Sequence, residues 1–259
     1  MEAQELRSWQ GEYTKSDIIA RLEAHARADQ IIQKLTWNEE YKKGCAIGCV
    51  LNEYRHDRFP SALGLPVWLA RLVDNIFEGL PVAEAKSFAI DWVRAVPENV
   101  NVEPVKHKVL IFVLAECREL VRGLKISYER KKQIINANEG VSETHQRAIE
   151  TGEWQIDPAV RATAADAAAD AAADAYAAAD AYVAADACAA DAYAAADACA
   201  YAACAADAYA AADACAYAAY AADACAAAAC AAAAYATAAR RKAWTRYAAE
   251  LIRILKEAK

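Results

Sequence analysis

Every glycine and proline in this chain lies at or before Pro158, so residues 159–259 lack the two residues that most strongly interrupt a helix. Asp157 and Pro158 form a typical helix start, with Asp as the N-cap and Pro at the first helical position. Gly152 suits the end of a preceding helix. The sequence therefore predicts a domain boundary near residue 157.

Residues 1–157 carry several short apolar patterns with helical spacing and no convincing alternation typical of a strand. We expect an all-α bundle or a short stack of helical repeats. Thr36 and Glu39 have the spacing of a capping box. The predicted helices begin at Ser16 (SDIIARLEAHARADQIIQKL), Pro66 (PVWLARLVDNIFEGL), Pro81 (PVAEAKSFAIDWVRAV) and Glu103 (EPVKHKVLIFVLAECRELV), with two more in SYERKKQIINANEG and SETHQRAIETGEW.

Residues 158–239 are mostly alanine, the residue with the best helix propensity. Most of the larger residues are Tyr and Cys that follow one another at steps of five or six. Tyr182, Tyr193, Cys204 and Cys215 therefore fall at 11-residue intervals on one stripe, and the alternate members lie on a second face. This predicts a helical array with an 11-residue quasi-repeat. A single helix over residues 158–259 would be about 150 Å long, so we expect two or three helices that fold back. A β-solenoid fits less well, because Ala and Asp are poor strand formers.

The same segment is acidic, and the final residues are basic. Residues 162–239 contain Asp but no Lys, Arg or Glu. Mimicry of DNA is one interpretation, but the charges are several-fold too sparse, and a solvated face is favoured. Residues 240–259 form a basic amphipathic helix with Trp244, Leu251 and Leu255 on its apolar stripe. Such a helix can bind a membrane surface, but we expect it to dock on the protein's own bundle.

The strongest candidate for a chemical site is a group of three residues. Cys45 and Cys49 are one helical turn apart, and His56 follows seven residues later, which suits a three-ligand metal site. The spacing matches no strong zinc pattern, so packed thiols are favoured. No phosphate-binding, dinucleotide-binding or hydrolase motif is present. We therefore predict no catalytic, cofactor-binding or metal-ligating residue, no cofactor and no enzymatic activity.

Net charge and hydropathy indicate which partners and which cellular compartment suit the sequence. The net charge of −7 does not favour a nucleic-acid partner. No run approaches the length of an apolar membrane span, and the N-terminal residues lack the pattern of a signal peptide. The many cysteines then suit a reducing compartment. We expect a cytoplasmic protein with no membrane partner.

Four segments together resemble a group of uncharacterised alanine-rich helical proteins of bacteria and phages. They are GCAIGCV (44–50), LGLPVWLARLVDNIFEGLPVAEAKSFAIDWVRAVP (63–97), HQRAIETGEW (145–154) and RRKAWTRYAAELIRIL (240–255). The part from RAIETGEW through the Ala-rich segment is also similar to proteins described as immunity proteins of toxin systems. The resemblance implies an all-helical fold and a binding role, and it carries no functional residue.

These observations predict three regions: a helical bundle (1–157), an Ala-rich repeat segment (158–239) and a basic C-terminal helix (240–259). The expected function is a non-enzymatic protein-interaction module, in a narrower form an immunity or inhibitor protein that binds a protein partner. The alternative is a self-assembling structural protein, a helical oligomer or filament. Ice binding fits poorly, because Thr163 and Thr237 stand alone rather than in a regular row.

Overall fold

The computed structural model describes residues 5–123, 127–167 and 232–259. Within these residues the chain is helical apart from one small sheet, which confirms the predicted all-α class. The expected folding of the Ala-rich repeat into two or three helices, with its Tyr and Cys stripes, falls on residues 168–231, outside the described residues. None of the described helices has both the length and the apolar character needed to cross a membrane.

The elements follow one another with short connections. The first two helices are α1 (Lys15–Arg27) and α2 (Ala46–Leu51), and between them β1 (Trp37–Asn38) pairs antiparallel with β2 (Lys43–Gly44). A 3-10 turn (His56–Arg58) leads into the next group of helices. These are α3 (Phe59–Leu63), α4 (Val67–Gly79), α5 (Val82–Ala95), α6 (Glu103–Gly123), α7 (Tyr128–Thr151), α8, which begins at Pro158 and is described to residue 167, and α9 (Ala232–Lys256).

The proline and glycine signals identified most helix ends correctly. Pro66 and Pro81 precede α4 and α5 in extended N-cap conformations. Gly152 ends α7 with a left-handed backbone, at φ 76°, where glycine has no steric penalty. Asp157 Oδ1 accepts a hydrogen bond of 2.7 Å from the Ala159 amide, as expected of an N-cap.

The expected first helix is too long. The prediction continued the helix through Ile31 and Ile32, but α1 ends at Arg27, and Asp29 has a left-handed backbone. Ile31 then forms a bridge with Gly44 at the edge of the small sheet. The apolar side chain is still buried, so burial alone did not distinguish helix from extended chain.

Two other expectations are wrong. Thr36 and Glu39 do not cap a helix, because the intervening residues form β1. The capping box lies instead at the start of α1, between Thr14 and Asp17. The two helices predicted on either side of Gly140 are in fact one helix, α7. The buried residues Ala137, Val141 and His145 form one continuous face that crosses the glycine.

The chain divides into two compact units. The first unit is Met1–Lys106 with Ala239–Lys259, and the second is His107–Ala238. In the first, α1 packs on α2 and α5, and α4 packs on α2 and α5. Fully buried side chains fill the space between these helices, with the rings of Phe59 and Trp92 stacked at 6.2 Å.

Residues 239–256 of helix α9 belong to the first unit, in agreement with the predicted docking of this helix on the bundle. Leu251, Ile254 and Leu255 are buried. The Thr245 hydroxyl donates a hydrogen bond of 2.7 Å to Glu84 on α5. The apolar stripe of this basic helix is therefore covered by the protein itself.

The second unit has its own apolar core. Leu110 and Leu114 of α6, Val141 of α7 and Ala164 of α8 form one buried cluster, and Val160 packs against it. Ala164 and Ala167 are completely buried. Small side chains thus let the beginning of the Ala-rich segment pack closely against α6 and α7.

Candidate functional site

Helix α4 places two carboxylates in a largely apolar setting. Its buried face includes Leu69, Val73 and Phe77, and Asp74 lies among them with 8% of its surface exposed. Glu78 follows four residues later, so the two acids lie one above the other on the same side of the helix. Like charges at this spacing repel, so the pair needs compensating partners.

Two hydrogen bonds to the same oxygen orient the Asp74 carboxylate. Its Oδ2 accepts hydrogen bonds from the Tyr54 hydroxyl at 2.8 Å and from His56 Nε2 at 3.1 Å. The rings of Tyr54 and His56 contact each other edge to face at 4.8 Å. Burial, followed by the Asp74 charge, raises the pKa of the Tyr54 hydroxyl, which therefore remains a donor. Oδ1 of Asp74 is buried and has no hydrogen-bond partner among the described residues.

Cys45 brings a thiol to the same place. It is the N-cap of α2, and its Sγ accepts a hydrogen bond from the Gly48 amide at 3.5 Å. Only 1% of its surface is exposed. Burial and then the nearby Asp74 charge raise the pKa of the Cys45 thiol far above its usual value, so the group is a protonated thiol in this environment.

Glu78 completes the cluster from the end of α4. Its Oε2 accepts a hydrogen bond of 2.7 Å from the backbone amide of Lys34. Burial raises the pKa of Glu78 to about 7, and the Asp74 charge adds to this, while the Lys34 amide and charge act in the opposite direction. The Gln33 side chain donates to the Leu80 carbonyl at 2.9 Å, so the loop at residues 33–34 is fixed to this end of the helix.

Three groups able to bind a metal ion therefore converge. One ligand atom from each of Cys45, Asp74 and Glu78 lies within 4.8 Å of the other two. We call these three residues the Cys45–Asp74–Glu78 cluster. A thiolate and carboxylates are ligands that zinc accepts, and a buried carboxylate near a thiol can also exchange protons.

The candidate set of Cys45, Cys49 and His56, which the sequence did not favour as a metal site, is not assembled as a three-ligand site. The Cys49 thiol donates to the carbonyls of Gly44 at 3.4 Å and Gln30 at 3.6 Å, and burial raises its pKa to about 12. His56 instead contacts Asp74. Cys49 is thus a packed thiol, whereas Cys45 lies in a polar cluster that its spacing from Cys49 did not reveal.

A second polar cluster in the second unit was also missed. His107 of α6 and His145 of α7 hydrogen-bond through their Nδ1 atoms at 2.8 Å, and Trp154 stacks on both rings. His145 is fully buried. The two histidines are far apart in sequence, and no local pattern joins them.

The chain matches no family model, no curated protein and no solved structure. The resemblance to alanine-rich bacterial and phage proteins therefore stays a prediction.

Proposed function

We propose that this chain is a non-enzymatic protein-interaction module that binds a protein partner through its Ala-rich segment, residues 158–239. In the narrower form of this proposal the partner is a toxin or a defence enzyme, and the chain acts as its immunity or inhibitor protein. The helical bundle then anchors the Ala-rich segment, and the segment makes the contacts with the partner.

The observation that carries the proposal is the anchoring of both ends of the segment. At its start, Ala164 and Ala167 are buried in the second unit, and Val160 packs on the core of that unit. After its end, Leu251 and Leu255 of α9 are buried in the first unit. Holding the two ends of a binding segment reduces the conformational entropy lost on binding.

The residue pattern of the segment supports a protein partner. Ala side chains permit close approach of a neighbouring backbone, and Tyr is enriched among the residues that dominate binding energy. The sequence predicts one stripe through Tyr182 and Tyr193 and a second stripe beside it, which on a helix would offer apolar contacts on two faces. A helix with two such faces has more packing surface than one neighbour can cover.

Neither Cys45 nor Cys49 has the lowered pKa that thiol catalysis requires. A cysteine nucleophile acts as a thiolate and needs a lowered pKa. Burial instead raises the pKa of both Cys45 and Cys49.

The alternative is self-association, which the two stripes also favour, because copies of one segment can pack on each other. The two functions differ in which proteins are bound to the purified chain. A foreign protein in fixed ratio indicates a binding module, and a homo-oligomer of constant mass indicates a structural protein.

The experiment is a tagged pull-down of the full chain from lysate of its host cells, with the mass of the complex measured by light scattering. The test variant is the double substitution Tyr182→Ala and Tyr193→Ala, and the control is Tyr41→Ala, an exposed tyrosine of the first unit. Truncating one central tyrosine costs about 2 kcal/mol, or roughly a 30-fold rise in Kd. We expect the double variant to lose the partner and the control to keep it. A monomer that retains no protein would overturn both functions.

The immunity form has a separate test. Co-expression of the chain with candidate toxins should restore growth, and the double tyrosine variant should not. If the wild-type chain binds a partner but rescues no toxin, the binding function stands and the immunity form is rejected.

A further inference from the structure

We propose that the Cys45–Asp74–Glu78 cluster is a binding site for one divalent transition-metal ion, with zinc as the ion that best fits its ligands. The ion would join the start of α2 to the end of α4 inside the first unit. This inference does not rest on the proposed binding function and would hold for either function considered above.

The geometry is close to that of a bound ion. The three ligand atoms lie within 4.8 Å of one another, and atoms bound to one tetrahedral zinc ion are roughly 3.5 Å apart. Cys45 is fixed at a helix start, and the two acids are one turn apart on α4. A closing movement of about 1 Å, within the range of side-chain rotation, would bring all three into the coordination sphere.

Asp74 provides an independent indication of a ligand. Asp74 is a buried residue, Oδ2 of its carboxylate accepts hydrogen bonds from Tyr54 and His56, and Oδ1 has no hydrogen-bond partner among the described residues. The Cys45 thiol interacts with this carboxylate, but a thiol is a weak donor and a poor substitute for a full hydrogen bond. Buried carboxylate oxygens are normally satisfied, and a metal ion beside Oδ1 would satisfy this one.

Hydrogen bonds outside the ligand set already hold each ligand. Tyr54 and His56 fix the Asp74 carboxylate through Oδ2, and the Lys34 amide fixes Glu78 through Oε2. The Gly48 amide donates to the sulfur of Cys45. Metal sites characteristically have such outer partners, which orient the ligands and keep them from rotating away.

The ligand types select the class of ion. Magnesium and calcium prefer oxygen ligands throughout, so a cysteine disfavours them. Zinc accepts sulfur and oxygen together, and three protein ligands leave one tetrahedral position for water. When the ion binds, the sulfur–metal bond replaces the sulfur–hydrogen bond, and the Cys45 proton passes to solvent. The positive charge also offsets the repulsion between Asp74 and Glu78.

The first test uses cobalt(II) as a spectroscopic probe on the reduced full chain after removal of metals with a chelator. Coordination by a thiolate gives a charge-transfer band, and we expect one such ion per chain in the wild type. Cys45→Ala should abolish the band, and Cys49→Ala, which removes a neighbouring buried thiol, should retain it. Absence of the band in the wild type, or its survival in Cys45→Ala, would overturn the proposal.

Competition with a coloured zinc chelator gives the affinities. Removing an outer partner lowers metal affinity by about 10- to 100-fold, so Tyr54→Phe should weaken zinc binding within that range. Asp74→Asn should weaken it by more than about 100-fold, because it removes a ligand. Equal affinities for all three proteins would mean that zinc binds elsewhere, and the site would be rejected.

Glu78→Gln separates metal binding from folding. The amide keeps an acceptor for the Lys34 amide and removes a partly buried charge, so the metal-free variant should melt at the same temperature as the wild type or higher. Zinc should raise the melting temperature of the wild type and leave that of the variant unchanged. If zinc raises both equally, Glu78 is not a ligand and the three-residue site is wrong.

Discussion

The indole of Trp244 on α9 lies directly against the backbone of Gly79 at the end of α4. A Cβ atom at residue 79 would overlap the indole ring. The ring of Tyr247 contacts the same indole edge to face at 5.6 Å. The attachment of the C-terminal helix to the first unit therefore depends on residue 79 having no side chain.

The first prediction is that Gly79→Ala destabilises the first unit. The backbone at this position is compatible with alanine, so the cost comes from the indole, and overpacking of this kind costs about 1–3 kcal/mol. Urea unfolding of the full chain, followed by circular dichroism, measures the change. We expect the transition to move to lower urea without a change in the proteins' secondary structure at zero denaturant.

A double-mutant cycle identifies the cause. In a Trp244→Ala background the space beside residue 79 is open, and alanine is then the better helix former by up to about 1 kcal/mol. Gly79→Ala should therefore become neutral or stabilising there. If it costs the same free energy in both backgrounds, the indole contact does not explain the effect.

Much of the helical framework could be predicted from local signals. The starts at Pro66, Pro81 and Pro158 and the end at Gly152 follow from backbone restrictions that a residue imposes wherever it occurs. Gly140 was misjudged because a glycine in a helix costs about 1 kcal/mol, which the buried face of α7 outweighs. The end of α1 was misjudged because Ile31 is buried in either conformation.

The candidate cluster could be predicted in part only. Cys45 was recognised, but it was grouped with its sequence neighbour Cys49, since spacing along the chain identifies only local partners. Asp74 and Glu78 come from another helix, and their approach to Cys45 depends on how α2 packs on α4. One signal was available: Asp74 interrupts the apolar face of α4, and a buried acid needs a partner.

The second prediction is that Gly140→Ala stabilises the protein. A Cβ at this position would meet only the methyl groups of Val160, at 3.4 and 3.8 Å, which is ordinary contact. Replacing an interior helical glycine by alanine then gains about 0.5–1 kcal/mol. Gly152→Ala is the matched contrast, because φ there is 76° and alanine would be strained. Thermal unfolding should show opposite shifts, and a loss of stability in Gly140→Ala would contradict the packing of α7 on α8.

The third prediction concerns the reactivity of the buried thiols in metal-free protein. The pKa of Cys49 is raised to about 12, so at pH 8 only about one molecule in 10,000 carries a thiolate there, and Cys45 carries still fewer. Iodoacetamide at pH 8 should leave both unmodified in the native chain and modify both in urea. Mass spectrometry of the peptides measures this. Alkylation of native Cys45 at the rate of a free thiol would contradict its burial.

The fourth prediction is a pH-dependent contribution from the capping box of α1. Asp17 Oδ2 accepts hydrogen bonds from the Thr14 hydroxyl at 2.6 Å and the Thr14 amide at 3.0 Å, and these lower the pKa of Asp17 in the folded state. A lowered pKa means that the stabilisation is complete above the unfolded pKa of about 4 and is lost as the pH falls through the folded pKa. Asp17→Asn should therefore be less stable than the wild type at pH 7, and the difference should shrink below pH of about 4. Glu40→Gln, at an exposed acid outside the helices, controls for the loss of one charge. Urea unfolding across this pH range measures the free energy of unfolding of both variants. If the difference between Asp17→Asn and the wild type does not change with pH, the ionised carboxylate does not stabilise the start of α1.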